Sequence, residues 1–239
     1  MKILFLNVWH GKVAEPLRSF LREQSDTDVV CFQEFTDEAT EIVRSVFPEH
    51  CVFSSEKHAG YKADFSVATL IHQRCTIVDS AELLQSDDEI GAAIGVEIED
   101  VSGRRMTLLN VHGTARKYEN GQFLDTDAKL DFPARLRQTE ELLGYLSGKR
   151  GARIVGGDFN MLPEASSIRA FEKFGYRDLI REYAIPTTRN HLSWDLYPNT
   201  PYLFSDYVFL SPEIGVKSFS VPNVEVSDHL PMILETENL

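Results

Sequence analysis

Arg153-Ile154-Val155-Gly156-Gly157-Asp158-Phe159-Asn160 is an apolar run that stops on two glycines, a carboxylate and an amide. Ile154 and Val155 read as a buried strand. Side chains two apart in a strand share a face, so Asp158 and Asn160 are expected to look into one cavity. Taken alone, Gly-Gly-Asp is equally ordinary turn chemistry. What separates the two readings is recurrence along the chain. The apolar run Ile3 to Val8 carries Asn7 at its end, and Asp28 to Phe32 runs into Gln33-Glu34. Arg105 to Val111 leads into Asn110-Val111-His112. Asp206 precedes the run Tyr207 to Leu210, and Asp228-His229 precedes Pro231 to Leu234. Polar groups able to do chemistry sit where buried strands end, a common way of mounting a site on a rigid scaffold.

Helical periodicity fits Glu15 to Glu23, with Leu17, Phe20 and Leu21 on one face. Asp37 to Phe47 fits a second helix, with Asp37 as the expected N-cap and Pro48 just past the end. Pro133 to Leu146 and Ser166 to Phe174 fit two more. Further strands are expected at Phe65 to Ile71, Cys75 to Leu83 and Gly95 to Glu99. Residues 114 to 131 and 184 to 201 are polar, irregular and long enough to read as functional loops. Many strands interleaved with a few helices imply an α/β (α+β) chain of packed sheets with helices outside. The pattern alone allows either a sandwich or an open sheet.

The 239 residues, 43% hydrophobic, suit a single domain over 1–239. The net charge of −13 disfavours holding a polynucleotide by a broad basic surface, since Lys and Arg contacts to phosphate supply most nonspecific affinity. A local basic groove or a bridging divalent cation stays open. Cys31, Cys51 and Cys75 are too few and too scattered for a disulfide scaffold or a zinc knuckle. Met1 to Leu6 is too short for a secretory h-region, and no stretch approaches the ~20 apolar residues of a membrane span. A cytoplasmic monomer without a membrane span is expected.

The ordered set Leu6-Asn7-Val8, Phe32-Gln33-Glu34, Asn110-Val111-His112, Gly157-Asp158-Phe159-Asn160, Ser205-Asp206-Tyr207 and Ser227-Asp228-His229 resembles the endonuclease/exonuclease/phosphatase superfamily. Each segment is weak by itself, but all stand in the family's order. The resemblance implies a deoxyribonuclease I-like, four-layer α/β/β/α sandwich of two mainly antiparallel sheets. It also implies a metal-dependent phosphoesterase, with Mg²⁺ as the cation and Mn²⁺ as a substitute. In that reading Glu34 is the principal metal ligand, because a hard cation prefers carboxylate oxygen. Asn7 and Asp228 complete the metal environment. Asp158 orients and deprotonates the attacking water, Asn160 holds a phosphoryl oxygen and His229 contacts the phosphate. Asp206 is expected to orient a histidine, with His112 as the partner.

Two departures narrow the branch. Trp9 stands where exonuclease III-like repair enzymes carry an acidic residue, and His112 replaces a tyrosine-containing motif. Arg116, Arg135 and Arg189 are the expected substrate contacts, and His10 and Lys12 are further candidates in the loop after the first strand. The favoured function is hydrolysis of a phosphodiester by an Asp-activated water, as in a nuclease acting on nucleic acid. The alternatives are a phosphatase or phosphodiesterase of a small or lipid-derived phosphate, and a non-catalytic binding protein of the same fold.

Overall fold

The computed structural model describes residues 1–56, 65–84, 91–100, 102–114, 118–119, 122–123, 133–196 and 202–237. The first part of the chain forms β1 (Lys2–Asn7), α1 (Ala14–Glu23), β2 (Val29–Phe35), α2 (Asp37–Val46), β3 (His50–Ser54) and β4 (Ser66–His72). β5 (Thr76–Leu83), β6 (Ala92–Glu99) and β7 (Arg105–His112) follow, then a short hairpin of β8 (Tyr118–Glu119) and β9 (Gln122–Phe123). The rest is α3 (Pro133–Ser147), β10 (Ala152–Asp158), α4 (Ser166–Lys173), β11 (Arg177–Asp178), α5 (Leu179–Glu182), α6 (His191–Leu196), β12 (Asp206–Leu210), β13 (Val216–Ser220) and β14 (Met232–Thr236).

The long strands make two six-stranded sheets, in the orders β13-β14-β1-β2-β4-β3 and β11-β12-β10-β7-β6-β5. Each sheet has one parallel pair, β1 with β2 and β7 with β10; the other neighbours are antiparallel. Strands in a parallel pair end on the same side. Asn7 therefore lies beside Gln33, and His112 beside Asp158.

Alternation along β1 and β2 explains the layering. Ile3, Phe5, Val29 and Cys31 face the second sheet and join its Leu108, Leu109 and Val155 in one core. Leu4, Leu6, Val30 and Phe32 face outward and are covered by Leu17 and Leu21 of α1 and Ile42 and Val43 of α2. On the far side α3 and α4 bring Leu142, Leu146, Ile168 and Phe171 to the second sheet. The result is helix, sheet, sheet, helix, so the pattern resolves to a sandwich.

Several local expectations shift. Thr36, not Asp37, caps α2: its Oγ1 accepts the Ala39 N–H at 3.4 Å, and Asp37 is the first helical residue, where its charge favours the helix dipole. β3 and β13 are edge strands with few buried side chains, so they lack the apolar alternation that reveals a strand. The expected loop 184–201 contains α6, whose six residues are too few to show a period. Most of the 114–131 loop, Arg116 included, lies outside the described residues. No helix among the described residues is long and apolar enough to cross a membrane. The three cysteines are free thiols, and Cys31 is buried as its apolar surroundings imply.

Gly156 and Gly157 are strand residues, not a turn. A Cβ on Gly156 would come within 2.6 Å of the Phe5 ring across the sandwich. A Cβ on Gly157, whose φ is +132°, would lie 2.1 Å from the Val111 carbonyl and 3.0 Å from Gln33 Nε2. The space so gained holds a buried polar link between the sheets. Gln33 Nε2 donates to Asn110 Oδ1 at 2.6 Å, and Asn110 Nδ2 donates to the Ala68 carbonyl at 2.9 Å. Asn110 is thus spent on fastening the sheets. Gly157→Ala is expected to cost about 2 kcal/mol or more, from overpacking plus a positive φ that alanine resists. The midpoint of urea unfolding, relative to wild type, measures it.

Candidate active site

The two parallel strand pairs deliver their ends to one place. From the first sheet come Asn7 and Glu34; from the second come His112 and Asp158. Glu34 would alternate away from Asn7 in a regular strand. It is turned inward by an irregularity in the pairing of β2 with β4, between Phe32 and Phe35, where its φ is +52°. Trp9, His10 and Asn160 also have positive φ, at +48°, +56° and +55°. Backbone strain of this kind concentrates where a site dictates side-chain direction.

Asn7 ties the two carboxylates together. Its Nδ2 donates to Glu34 Oε1 at 3.1 Å and to Asp158 Oδ2 at 3.0 Å, while its Oδ1 accepts the Trp9 N–H at 2.9 Å. Glu34 Oε2 lies 3.0 Å from His10 Nε2. Burial by itself would raise the Glu34 carboxyl. The hydrogen bond from His10 and the charges of His112, His229 and His10 outweigh burial and hold it well below the usual carboxylate range. Asp158 is buried, and its Oδ1 accepts the Asn160 N–H at 2.9 Å. Burial raises its carboxyl above the usual value; Asp206 adds to this, and the charges of His229, His112 and Arg189 do not overcome it. Asn160 Nδ2 donates to the Gly113 carbonyl at 3.2 Å, which leaves one amide hydrogen for another acceptor.

Asp206 does orient a histidine, but the partner is His229 and not His112. His229 Nδ1 lies 2.9 Å from Asp206 Oδ1 and 3.0 Å from Oδ2. The reason is tertiary. Asp206 opens β12 next to Asp158, and a backbone bridge from Arg189 brings His229 to the same edge. His112 instead points its Nε2 between Glu34 Oε1 at 3.9 Å and Asp158 Oδ2 at 3.8 Å. His229 Nε2 stands 3.6 Å from Asp158 Oδ2. Burial and the Arg189 charge push the His229 imidazole down, but Asp206, Asp158 and Asp228 together push it up to about 9.

Of the arginines expected to meet substrate, Arg189 and Arg135 make contacts within the protein. Arg189 is buried; its Nη2 donates to Asp228 Oδ2 at 2.9 Å and to Ser193 Oγ at 2.9 Å, Nη1 contacts the His229 ring, and the guanidinium lies 4.9 Å from the Tyr202 ring centre. Arg135 is also buried and donates from Nη2 to the Asn160 carbonyl at 2.9 Å. Both brace the site from behind, because a guanidinium without water needs protein oxygen. Asp228 is correspondingly paired with Arg189. The partner Ser193 was not foreseen from the sequence, and nothing in the local pattern marks it.

Glu34, Asp158 and His229 each place a ligand atom within 4.8 Å of the others. A divalent cation fits this cluster on chemical grounds. Glu34 and Asp158 supply hard carboxylate oxygens, suited to a cation that keeps several waters. The His229 Nδ1 is taken by Asp206, and its Nε2 is the ring atom that faces Asp158.

The sequence model of the Endonuclease/Exonuclease/phosphatase family matches residues 4–229. The chain belongs to that family. It is a family of phosphoester hydrolases, generally dependent on a divalent metal. A search of curated protein sequences finds no significant match. Among solved structures, the mannosyl-6-phosphatase of Bacteroides thetaiotaomicron superposes with a TM-score of 0.76 at 17% identity, over 99% of this chain and 99% of that one. The catalytic domain of human Nocturnin with a bound sulfate anion gives 0.74 at 19% identity, over 99% and 93%. TDP2 from D. rerio complexed with single-strand DNA product gives 0.73 at 15%, over 100% and 99%. At these identities the likeness concerns the fold.

His229 also yields a pH prediction. Its folded-state value lies above the unfolded 6.5, so the stability it contributes is complete below about 6.5 and is lost as pH rises through about 9. In the metal-free protein, imidazole NMR should show His229 titrating near 9. Asp206→Asn should move that midpoint down by at least one unit; an unmoved midpoint removes Asp206 as its partner.

Proposed function

We propose that this chain is a Mg²⁺-dependent phosphodiesterase of nuclease type. The observation that supports it best is the convergence of Glu34, Asp158 and His229 within 4.8 Å from separate strands, with Asn7 bridging the two carboxylates. Glu34 would hold the cation, with Asn7 fixing its carboxylate and Asp158 beside it. When bound, the cation would polarise the phosphoryl group and neutralise charge developing there.

The chain's own groups account for the remainder. Asp158, whose carboxyl is raised by burial, would orient a water and take its proton for in-line attack. His229 faces the same space through Nε2, 3.6 Å from Asp158 Oδ2, and would donate to a phosphoryl oxygen as charge accumulates. The free amide hydrogen of Asn160 would hold a second phosphoryl oxygen. His112, 3.9 Å from Glu34 and 3.8 Å from Asp158, would protonate the leaving oxygen. Arg189 and Asp228 would act by holding His229 in place.

A second reading, a phosphatase of a small phosphate ester, is favoured by the net charge of −13 and by the fold likeness to a mannosyl-6-phosphatase. With no described arginine free at the site, a polynucleotide would depend on side chains such as Arg116 outside the described residues.

Asp158→Asn and Glu34→Gln should each lower turnover of bis-p-nitrophenyl phosphate by roughly 10²–10⁴-fold while leaving the melting temperature within a few degrees of wild type. Chelator should abolish activity and Mg²⁺ or Mn²⁺ restore it; metal-independent turnover overturns the reading. Rates on single-stranded DNA, RNA and a hexose 6-phosphate separate the nuclease from the phosphatase.

A further inference from the structure

His10 lies on the short turn Trp9–Gly11 just after β1, and none of the roles above uses it. Its Nε2 is 3.0 Å from Glu34 Oε2, on the side of the carboxylate away from Asn7, which holds Oε1 at 3.1 Å. Glu34 is therefore gripped at both oxygens, each with one protein donor and with lone-pair capacity to spare. The grip is built from both ends. His10 has φ of +56° and Glu34 φ of +52°, and these two departures from extended backbone turn the side chains toward each other. The His10 carbonyl accepts from Thr36 Oγ1 at 3.3 Å, which ties the turn to the start of α2, two residues beyond Glu34. The ring itself is held by packing. Phe65 stands edge-on to His10 with ring centres 5.7 Å apart, and edge-on to His112 at 5.1 Å. One phenyl ring thus seats the two imidazoles that flank Glu34.

We propose that His10 is a positioning residue that fixes the Glu34 carboxylate in the orientation needed to receive a divalent cation. The proposal rests on the reading of Glu34 as the cation ligand. Groups that orient metal ligands commonly alter metal affinity by 10- to 100-fold when removed, because a carboxylate free to rotate must be ordered at the moment of binding. An unaided Glu34 would also drift toward solvent, since its residue is only partly buried.

The experiment is Mn²⁺ binding by isothermal titration calorimetry on the purified full chain, alongside kcat and the Mn²⁺ concentration giving half-maximal activity. Three variants are compared with wild type: His10→Phe, His10→Gln and Glu34→Gln. His10→Phe keeps a ring against Phe65 and removes the donor, so it should weaken Mn²⁺ binding about tenfold or more. Its kcat at saturating Mn²⁺ should stay within about threefold of wild type. His10→Gln restores an N–H donor and should recover most of the affinity. Melting temperatures near wild type for both variants exclude a general loss of folding. Wild-type affinity in His10→Phe, with binding lost in Glu34→Gln, overturns the proposal alone. Wild-type affinity in Glu34→Gln overturns the assignment of Glu34, and the proposal with it. Equal weakening in His10→Phe and His10→Gln overturns the hydrogen bond as the cause.

Discussion

At Gly156 and Gly157 the backbone of β10 passes the first sheet with no side chain in between. The site depends on that approach. A methyl group at either position would strike the Phe5 ring or the Val111 carbonyl. With hydrogen atoms there, Gln33 can reach Asn110 across the sandwich at 2.6 Å. That bond lies in a medium where an unpaired amide is expensive, so it specifies how the sheets register as well as holding them together. Register matters because Asn7 and Glu34 belong to one sheet and His112 and Asp158 to the other. Separating the sheets by a side chain would pull Asn7 away from Asp158, which it meets at 3.0 Å.

The electrostatics follow from that convergence. Asp158, Asp206, Asp228 and Glu34 crowd into a small volume that is largely dry, and carboxylates so placed would repel one another unless cations balance them. Two protein cations do so. Arg189 meets Asp228, and His229 sits among Asp206, Asp158 and Asp228, which is why its imidazole is lifted to about 9. Glu34 has Asn7 and the histidines about it, which hold its carboxyl below the usual range, and it is the carboxylate that faces partly outward.

Positive φ at Trp9, His10, Glu34 and Asn160 shows what the arrangement demands of the backbone. Each of these residues adjoins an end of β1, β2 or β10. A strand offers its neighbours alternate faces; a site that needs both Asn7 and Glu34, or both Asp158 and the Asn160 N–H, must bend the chain where the strand stops. Packing of the two sheets and their helices supplies the free energy that holds these bends.

From the sequence alone it follows that the first strands are covered on both faces and that polar groups stand at their ends. The apolar side chains of Ile3 to Leu6 and Val29 to Phe32 need cover on both faces, and the structure supplies a second sheet on one and helices on the other. Polar groups at the ends of such runs then fall at one rim of the sandwich. Edge strands such as His50–Ser54 were not legible, because half-exposed residues carry no period. Partnership was not legible either. Whether Asp206 meets His112 or His229 depends on which strand pairs with which and on the Arg189–His229 bridge. Whether an arginine faces substrate or braces the interior depends on what lies behind it, here Asp228 and Ser193 for Arg189 and the Asn160 carbonyl for Arg135. Contacts between residues far apart in the chain are set by packing, and local sequence encodes only the tendency of each segment to be buried. The order of the strand-end motifs carried the family resemblance, and with it the candidate groups. The pairing of those groups into working units was decided by the tertiary structure.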